Sequence, residues 1–276
     1  MTDLRAAIAD GAIGGRLWLY TNYHCNLECA YCLTESGPRV ERREIPISGL
    51  GELAAEARAT GFTELGVTGG EPFLVPGLAV ALQAVAAELP TLVLSNGTLF
   101  TSRLVTELKP LAGLPFAIQI SLDSAEPVVN DLMRGPRNFE KVVASIPRLR
   151  AAGIRVRVAT TSSDLSAEQL ARLCELHRSL GVPDEDHVVR PVIRRGRASE
   201  RGICTEVSRD DLPAELTITA DGAYWSPFGP TIRGGRLDTD LLVTRTTRPL
   251  TVPAAALVRL SKPAEGGGPQ TSSGIR

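Results

Sequence analysis

The chain has 276 residues, 43% of them hydrophobic, so it is long enough to bury a full core. Lys and Arg number 30 against 31 Asp and Glu, and the net charge of -1 argues against a general binder of nucleic acid or anionic membranes. No apolar run approaches the roughly 18 residues of a membrane span, and no cationic leader precedes an apolar segment at the start. Three of the five cysteines are crowded between positions 25 and 32, unlike a secreted disulfide framework. These features favour a cytoplasmic protein with free thiols.

Short aliphatic and β-branched runs alternate with stretches of helical period along the first two thirds of the chain. Strands are predicted at 16–21, 63–68, 91–96, 116–121, 155–161 and 187–192. Helices are predicted between them at 48–61, 76–90, 101–113, 138–153 and 166–181. Repeated βα units predict an α/β fold with a parallel sheet, and six units without an obvious strand-order reversal suit a partial (β/α)6 TIM-like barrel as well as a doubly wound sheet. In both folds the chemistry lies at the C-terminal ends of the strands.

The pattern changes after residue 194. A small β extension is expected at 195–255, because LTITADGAYWS is typical of two strands around a turn at Asp221 and Gly222, and LLVTRT of another strand. The end of the chain is rich in Gly, Pro and Ser, and we expect a disordered tail at 256–276. The expected division is therefore a core domain at 1–194, the extension and the tail.

A cluster of cysteines follows the first predicted strand. In TNYHCNLECAYC, Cys25, Cys29 and Cys32 are separated by three and then two residues. Soft thiolates favour zinc, copper(I) or an iron–sulfur cluster. A structural zinc site would need a fourth protein ligand, for which His24 is the local candidate, whereas three thiolates suit a [4Fe-4S] cluster with one open iron. The residues by themselves leave zinc and iron–sulfur open.

CNLECAYC resembles the cysteine signature of the radical S-adenosylmethionine (SAM) superfamily, with Tyr31 at the aromatic position. Further motifs similar to those of the family follow in the family's order: GGEP at 69–72, SNG at 95–97, SLD at 121–123 and MRG at 133–135. The resemblance covers about residues 15–195. It implies one [4Fe-4S] cluster on Cys25, Cys29 and Cys32, with SAM on the open iron and reductive cleavage of SAM to a 5′-deoxyadenosyl radical.

The resemblance also implies which residues contact SAM: Tyr31, Gly69, Gly70, Glu71, Ser95, Asn96, Ser121 and Arg134. The two glycines would let backbone groups approach the methionyl amino group closely, with the carboxylate of Glu71 nearby. Arg134 would pair with the SAM carboxylate through its planar fork, and Tyr31 would lie near the adenine. Taken singly, each of these residues is as consistent with a turn, a cap or packing.

Two residues outside the cofactor set are candidates for catalysis. Asp123 ends a strand at the mouth of the predicted barrel, where it is either an acid–base group or part of an Asx turn. Cys204 is the only thiol of the extension, and it is either a hydrogen-atom donor or an inert structural thiol. The neighbouring Arg194, Arg195 and Arg197 are expected to form a solvated surface, with carboxylate, phosphate or peptide binding as the alternative.

The extension resembles the start of the SPASM or twitch region that follows many radical SAM barrels. There a strand–Asp–Gly–strand hairpin normally ends in a cysteine that ligates an auxiliary cluster, but Ser226 stands at that place here. One thiol cannot hold a cluster, so the auxiliary site is expected to be lost. The resemblance implies hydrogen abstraction from a peptide or small metabolite in natural-product or cofactor biosynthesis, with a reducing partner such as flavodoxin or ferredoxin. The alternative is a non-catalytic cluster-binding or peptide-recognition partner of another maturase.

Overall fold

A computed structural model describes residues 4–162, 164–200, 207–233 and 235–261. Six parallel strands lie side by side in chain order: β1 Arg16–Tyr20, β2 Glu64–Thr68, β3 Thr91–Ser95, β4 Phe116–Ser121, β5 Arg155–Thr161 and β6 His187–Arg190. Because the strand order has no reversal, the sheet is that of a partial (β/α)6 barrel and not of a doubly wound fold. The predicted fold class is confirmed.

The predicted helices are present, and three more are added. The predicted set is α2 Leu50–Thr60, α3 Leu78–Glu88, α4 Ser102–Leu108, α6 Asn138–Ala151 and α7 Ala167–Ser179. The added helices are α1 Leu4–Ala9, α5 Pro127–Arg134 and α8 Thr251–Ser261. A capping box starts α7, since Ser166 and Gln169 exchange side-chain and backbone hydrogen bonds. None of the helices described is long and apolar enough to cross a membrane.

The barrel strands present different chemistry on their two faces. Leu17 and Leu19 of β1 are fully buried in the main hydrophobic core, which packs the sheet against the helices. Trp18 and Tyr20 of the same strand border a cavity inside the barrel. This alternation follows from the two-residue period of a strand. The apolar core lies outside the barrel, and the inside is left for polar groups and ligands.

The C-terminal extension continues the barrel sheet. Strands β7 Thr217–Thr219 and β8 Gly222–Tyr224 form the expected antiparallel hairpin, and β7 pairs in parallel with β1. Strand β11 Leu242–Thr244 pairs with β8, while β9 Ile232–Arg233 and β10 Arg236–Leu237 form a separate two-stranded sheet. Nine strands therefore form one sheet in the order β11-β8-β7-β1-β2-β3-β4-β5-β6. The hairpin is fixed to the edge of the barrel beside β1.

The expected start of the tail at residue 256 is wrong. Helix α8 continues to Ser261, and its Ala254, Leu257 and Val258 are buried. These positions have the i, i+3, i+4 spacing of one helical face, which packs on β11 and α1. Residues 256–261 therefore belong to the fold, whereas 262–276 lie outside the described residues.

Candidate active site at the mouth of the barrel

The three cysteines after β1 border one cavity of about 730 Å³. Residues at the ends of all six barrel strands also line this cavity: Tyr20, Thr68, Ser95, Ser121, Thr161 and Arg190. The sulfur of Cys25 accepts hydrogen bonds from the backbone N–H of Leu27 at 3.4 Å and from the amide of Asn96 at 3.6 Å. Donors directed at sulfur stabilise a thiolate, which is the form that binds metals. The structure thus brings together the three cysteines that the spacing singled out.

Burial governs the chemistry of these thiols. It raises the pKa of the Cys25 thiol to about 12, and it also raises the pKa of Cys29. A cation that binds these sulfurs must therefore displace protons at neutral pH. Within the part of the chain that the structure describes, no three Cys, His, Asp or Glu side chains are close enough to hold a single metal ion. Three soft sulfur donors around a cavity fit an iron–sulfur cluster.

Two glycines let the turn after β2 pack against the cysteine loop. Gly69 has φ +153°, and a Cβ there would lie 2.7 Å from the carbonyl oxygen of Asn22. A Cβ on Gly70 would lie 2.3 Å from the carbonyl oxygen of His24. Real Cβ atoms do not approach oxygen so closely, so both positions need glycine. Both glycines line the cavity as well, but this packing requires them whether or not a ligand approaches.

Glu71 is fully buried, and its carboxylate is engaged by neighbouring turns. It accepts hydrogen bonds from Phe73 N at 3.2 Å, Ser95 Oγ at 3.0 Å and Asn96 N at 2.8 Å. Burial raises the pKa of Glu71 to about 7, while these donors act in the opposite direction. Its carboxylate is thus placed to position Ser95 and Asn96, and the contact with the methionyl group that the resemblance implied stays a prediction.

Arg134, at the end of α5, lies in the cavity wall with a side chain that is 6% exposed. Its Nη1 donates to Asp123 Oδ2 at 3.1 Å and to the hydroxyl of Tyr31. The hydroxyl of Tyr31 in turn donates to the same carboxylate, and the backbone N–H of Thr161 donates to Asp123 Oδ1 at 2.9 Å. Asp123 therefore joins α5 to β5. Because both of its oxygens are occupied, these contacts favour the loop-stabilising interpretation over a free acid–base group.

The residues expected to contact SAM are otherwise gathered on one surface. Those that line the cavity with the cysteines are Tyr31, Gly69, Gly70, Ser95, Asn96, Ser121 and Arg134. Ser95 and Ser121 come from adjacent parallel strands, whose C-terminal ends meet at the same edge of the sheet. Ser95 and Asn96 also donate hydrogen bonds to the carboxylate of Glu71, which fixes the position of these two residues in the cavity wall.

The arginines after β6 differ from the expected solvated surface. Arg195 is 9% exposed and forms a bidentate pair with Asp240 at 2.7 and 2.9 Å. Arg197 donates from Nε to the carbonyl of Cys29 at 2.9 Å, and from Nη2 to the carbonyl of Ser36. The expectation is wrong for both residues. Arg195 is paired with Asp240 of the extension, whereas Arg197 donates to carbonyl groups of the irregular cysteine loop that need donors. The first residues of the extension hold the cysteine loop in place.

Sequence reasoning missed two large side chains in the cavity, Trp18 and Arg190. The indole ring of Trp18 packs against Gly66 of β2, where a Cβ would lie 2.3 Å from the ring. Arg190 is the last residue of β6. The alternation of side chains along a strand could have identified them. Both residues stand at inward positions of predicted strands, where a large or charged residue is unusual in a packed barrel.

The expected loss of an auxiliary cluster site remains a prediction. Ser226 is fully buried beyond the hairpin, and its hydroxyl has no hydrogen-bond partner among the described residues. The described thiols are Cys25, Cys29, Cys32 and Cys174. Cys204 falls in the segment 201–206, outside the described residues, so neither of its proposed roles is tested.

Comparison with known proteins identifies the family. The radical SAM superfamily matches residues 19–190, which is more than half of the chain. The chain belongs to the radical SAM superfamily. It is 31% identical over 159 residues to AdoMet-dependent heme synthase of Methanosarcina barkeri, and 29% identical over 202 residues to mycofactocin maturase MftC of Mycobacterium tuberculosis. Those alignments cover 57% and 72% of this chain, and 45% and 47% of the relatives.

A solved structure supports the fold of nearly the whole chain. Native anSMEcpe with bound AdoMet and Cp18Cys peptide superposes with a TM-score of 0.62 at 12% identity. The superposition covers 89% of this chain and 82% of anSMEcpe, so it reaches beyond the barrel. By contrast, this radical SAM chain spans about half the length of the two curated relatives.

Proposed function

We propose that this protein binds one [4Fe-4S] cluster on Cys25, Cys29 and Cys32, binds SAM beside it, and uses the reductive cleavage of SAM to abstract hydrogen from a substrate. The observation that carries the proposal is the single cavity bordered by three cysteines and the ends of six parallel strands. Cluster and SAM together supply one-electron chemistry that amino-acid side chains lack. The protein supplies position, charge and exclusion of water.

The cavity wall offers SAM both polar and apolar groups. Its polar side comprises the backbone at Gly69 and Gly70 together with Ser95, Asn96 and Ser121. Arg134 is proposed to meet the carboxylate of SAM, and its Nε is buried without a hydrogen-bond partner in the described structure. Tyr31 is proposed to lie beside the adenine. Apolar residues complete the wall and limit the access of water: Leu27, Leu33, Leu94, Val192, Ile193 and Phe228.

The substrate is proposed to be a peptide or a small metabolite. The support is by likeness: anSMEcpe binds a peptide, MftC is a mycofactocin maturase, and the archaeal relative is a heme synthase. A small one-electron carrier such as flavodoxin or ferredoxin is the proposed reducing partner. Asp123 is proposed as a positioning residue for Arg134 and Tyr31, rather than as a catalytic acid or base.

The decisive experiment is SAM cleavage by anaerobically reconstituted, chemically reduced protein. We expect about four irons per chain and release of 5′-deoxyadenosine and methionine. Cys29→Ala is the matched control, because it removes one proposed ligand and should lose most of the iron and all of the cleavage. Full iron content without 5′-deoxyadenosine would contradict the proposed catalysis, and a second cluster would contradict the proposed loss of the auxiliary site.

A further inference from the structure

Arg190 is a cation that lines the cavity and has no bonded anion among the described residues. It ends β6, where its backbone pairs with Thr161 of β5, so the start of its side chain is held by the sheet. Its Nε and Nη2 are buried and have no hydrogen-bond partner within the described structure. Buried guanidinium nitrogens are rarely left unpaired, because each loses its hydrogen bonds to water. Because the Arg190 side chain lines the cavity, its unpaired donors indicate a ligand that supplies acceptors.

The groups around Arg190 do not supply that partner. Burial, together with the charges of Arg157 and Arg16, lowers the pKa of Arg190 to about 10, which leaves it charged at neutral pH. Arg16 and Arg157 lie beside carboxylates of their own. Glu215 is the opposite charge that acts on Arg190, but its carboxylate accepts the indole N–H of Trp18. Arg190 therefore keeps its charge and has no carboxylate bonded to it among the described residues, which favours an incoming anion.

We infer that Arg190 binds a carboxylate group of the substrate inside the barrel mouth. A guanidinium presents N–H groups in a planar fork that matches the two oxygens of a carboxylate. Asp210 and Asp211 also line the cavity and repel a multiply charged group such as a phosphate. A peptide chain end, an acidic side chain and a carboxylated metabolite share this chemistry. The inference rests on the proposed function, because it requires a substrate in the same cavity.

The two cavity arginines are assigned to different carboxylates. Arg134 lies on the cysteine side: its carbonyl accepts the thiol of Cys29, with a sulfur–oxygen distance of 3.7 Å, and its guanidinium meets Asp123. The charges that act on Arg190 are those of β1, of β5 and of Glu215 just before β7, and to a smaller extent that of Tyr31 in the cysteine loop. SAM must reach the cluster, so Arg134 is placed for the carboxylate of SAM. Arg190 is left for a second molecule.

The test uses cluster-loaded protein saturated with SAM, titrated by calorimetry with N-acetylglycine and with its uncharged analogue N-acetylglycinamide. We expect the carboxylate to bind about 10- to 100-fold more tightly than the amide. Arg190→Gln should abolish this preference, and Arg190→Lys should restore part of it. Arg103→Gln, a change on the exposed face of α4, is the matched control and should keep the preference. N-acetylglutamic acid amide and N-acetylglutamine amide repeat the comparison for an acidic side chain.

The inference is overturned if neither carboxylate binds, if acid and amide bind alike, or if Arg190→Gln keeps the preference. Tighter binding of methyl phosphate than of either carboxylate would also overturn the assignment. SAM affinity checks that the variants are folded: it should stay within about twofold in Arg190→Gln and fall in Arg134→Gln. A fall in both would make Arg190 a SAM contact and overturn the inference. SAM cleavage is measured separately, so failure of the proposed catalysis and failure of this binding site are distinguishable.

Discussion

Two arginines reach the same cavity, and their surroundings differ. Arg134 has a buried carboxylate partner, Asp123, at 3.1 Å and lies 5.7 Å from the ring centre of Tyr31. Arg190 has like charges nearby, and two of its nitrogens have no hydrogen-bond partner in the part of the chain that the structure describes. The first arginine joins α5, β4 and the cysteine loop into one unit. The second costs stability in the described structure, and such a cost is typical of a group kept for a ligand.

The largest expected effect is on the Arg134 side. Asp123→Ala leaves the buried guanidinium without its counter-charge and should lower the free energy of unfolding by about 3–5 kcal/mol. Arg190→Met is the contrasting variant, and it should leave stability unchanged or raise it by about 1 kcal/mol, because it removes an unpaired buried charge. Urea unfolding under anaerobic conditions measures both. A large loss in Arg190→Met would mean that both arginines are structural.

A smaller loss is expected where the extension holds the cysteine loop. Arg197→Ala removes two hydrogen bonds to loop carbonyls and should cost about 2 kcal/mol, with less iron retained after reconstitution. Arg103→Ala is the control, because Arg103 forms an exposed pair on α4 and should change stability by less than about 0.5 kcal/mol. Equal effects of the two changes would show that Arg197 does not position the loop.

A pair of histidines shows another way to bury basic groups. His177 of α7 is fully buried against His187, with ring centres 4.4 Å apart, and burial lowers its pKa to about 3. The unfolded chain protonates histidine near pH 6.5, so below that pH it binds more protons than the folded chain, and stability falls. For His177 alone the loss is about 1.4 kcal/mol at pH 5.5 and grows until pH approaches 3.

Replacing His177 by Leu should weaken the pH dependence of the stability between pH 5 and 6.5. The midpoints of urea unfolding across that range measure this change. His187 remains in the variant, and because burial also lowers its pKa, a smaller slope of the same sign should persist. An unchanged slope in His177→Leu would show that His177 does not titrate as its burial requires.

The smallest effect is expected at Cys174, a half-buried thiol on α7 whose sulfur lies 3.8 Å from Nδ1 of His187. Cys174→Ala should cost less than about 1 kcal/mol and leave the iron content intact, since this thiol does not border the cavity. Iron analysis beside Cys29→Ala provides the comparison. Iron loss in Cys174→Ala would extend the metal site beyond the barrel mouth.

The hydrophobic pattern of the sequence was sufficient to predict the barrel strands. It was not sufficient to predict helix α5, which contributes Arg134 to the cavity wall. Strands β1–β6 were predicted because their apolar residues alternate or run continuously between Gly and Pro signals. Helix α5 was missed because its buried residues are Asn130 and Arg134, while Val128 and Leu132 are exposed. A helix that buries polar groups gives no hydrophobic periodicity. Arg134 therefore ends a helix that the sequence analysis did not predict.

The sequence by itself determined the cysteine triad, the βα period, the hairpin at Asp221 and Gly222 and the family resemblance, because each depends on residues close together in the chain. Only the tertiary structure decided which groups meet across the barrel. It joined Glu71 to Ser95 and Asn96, and Arg197 to the carbonyl of Cys29. It also left two nitrogens of Arg190, which lines the cavity, without a partner among the described residues. Such pairings depend on strand register and on the direction of each side chain, and neither is encoded by the spacing of residues along the chain.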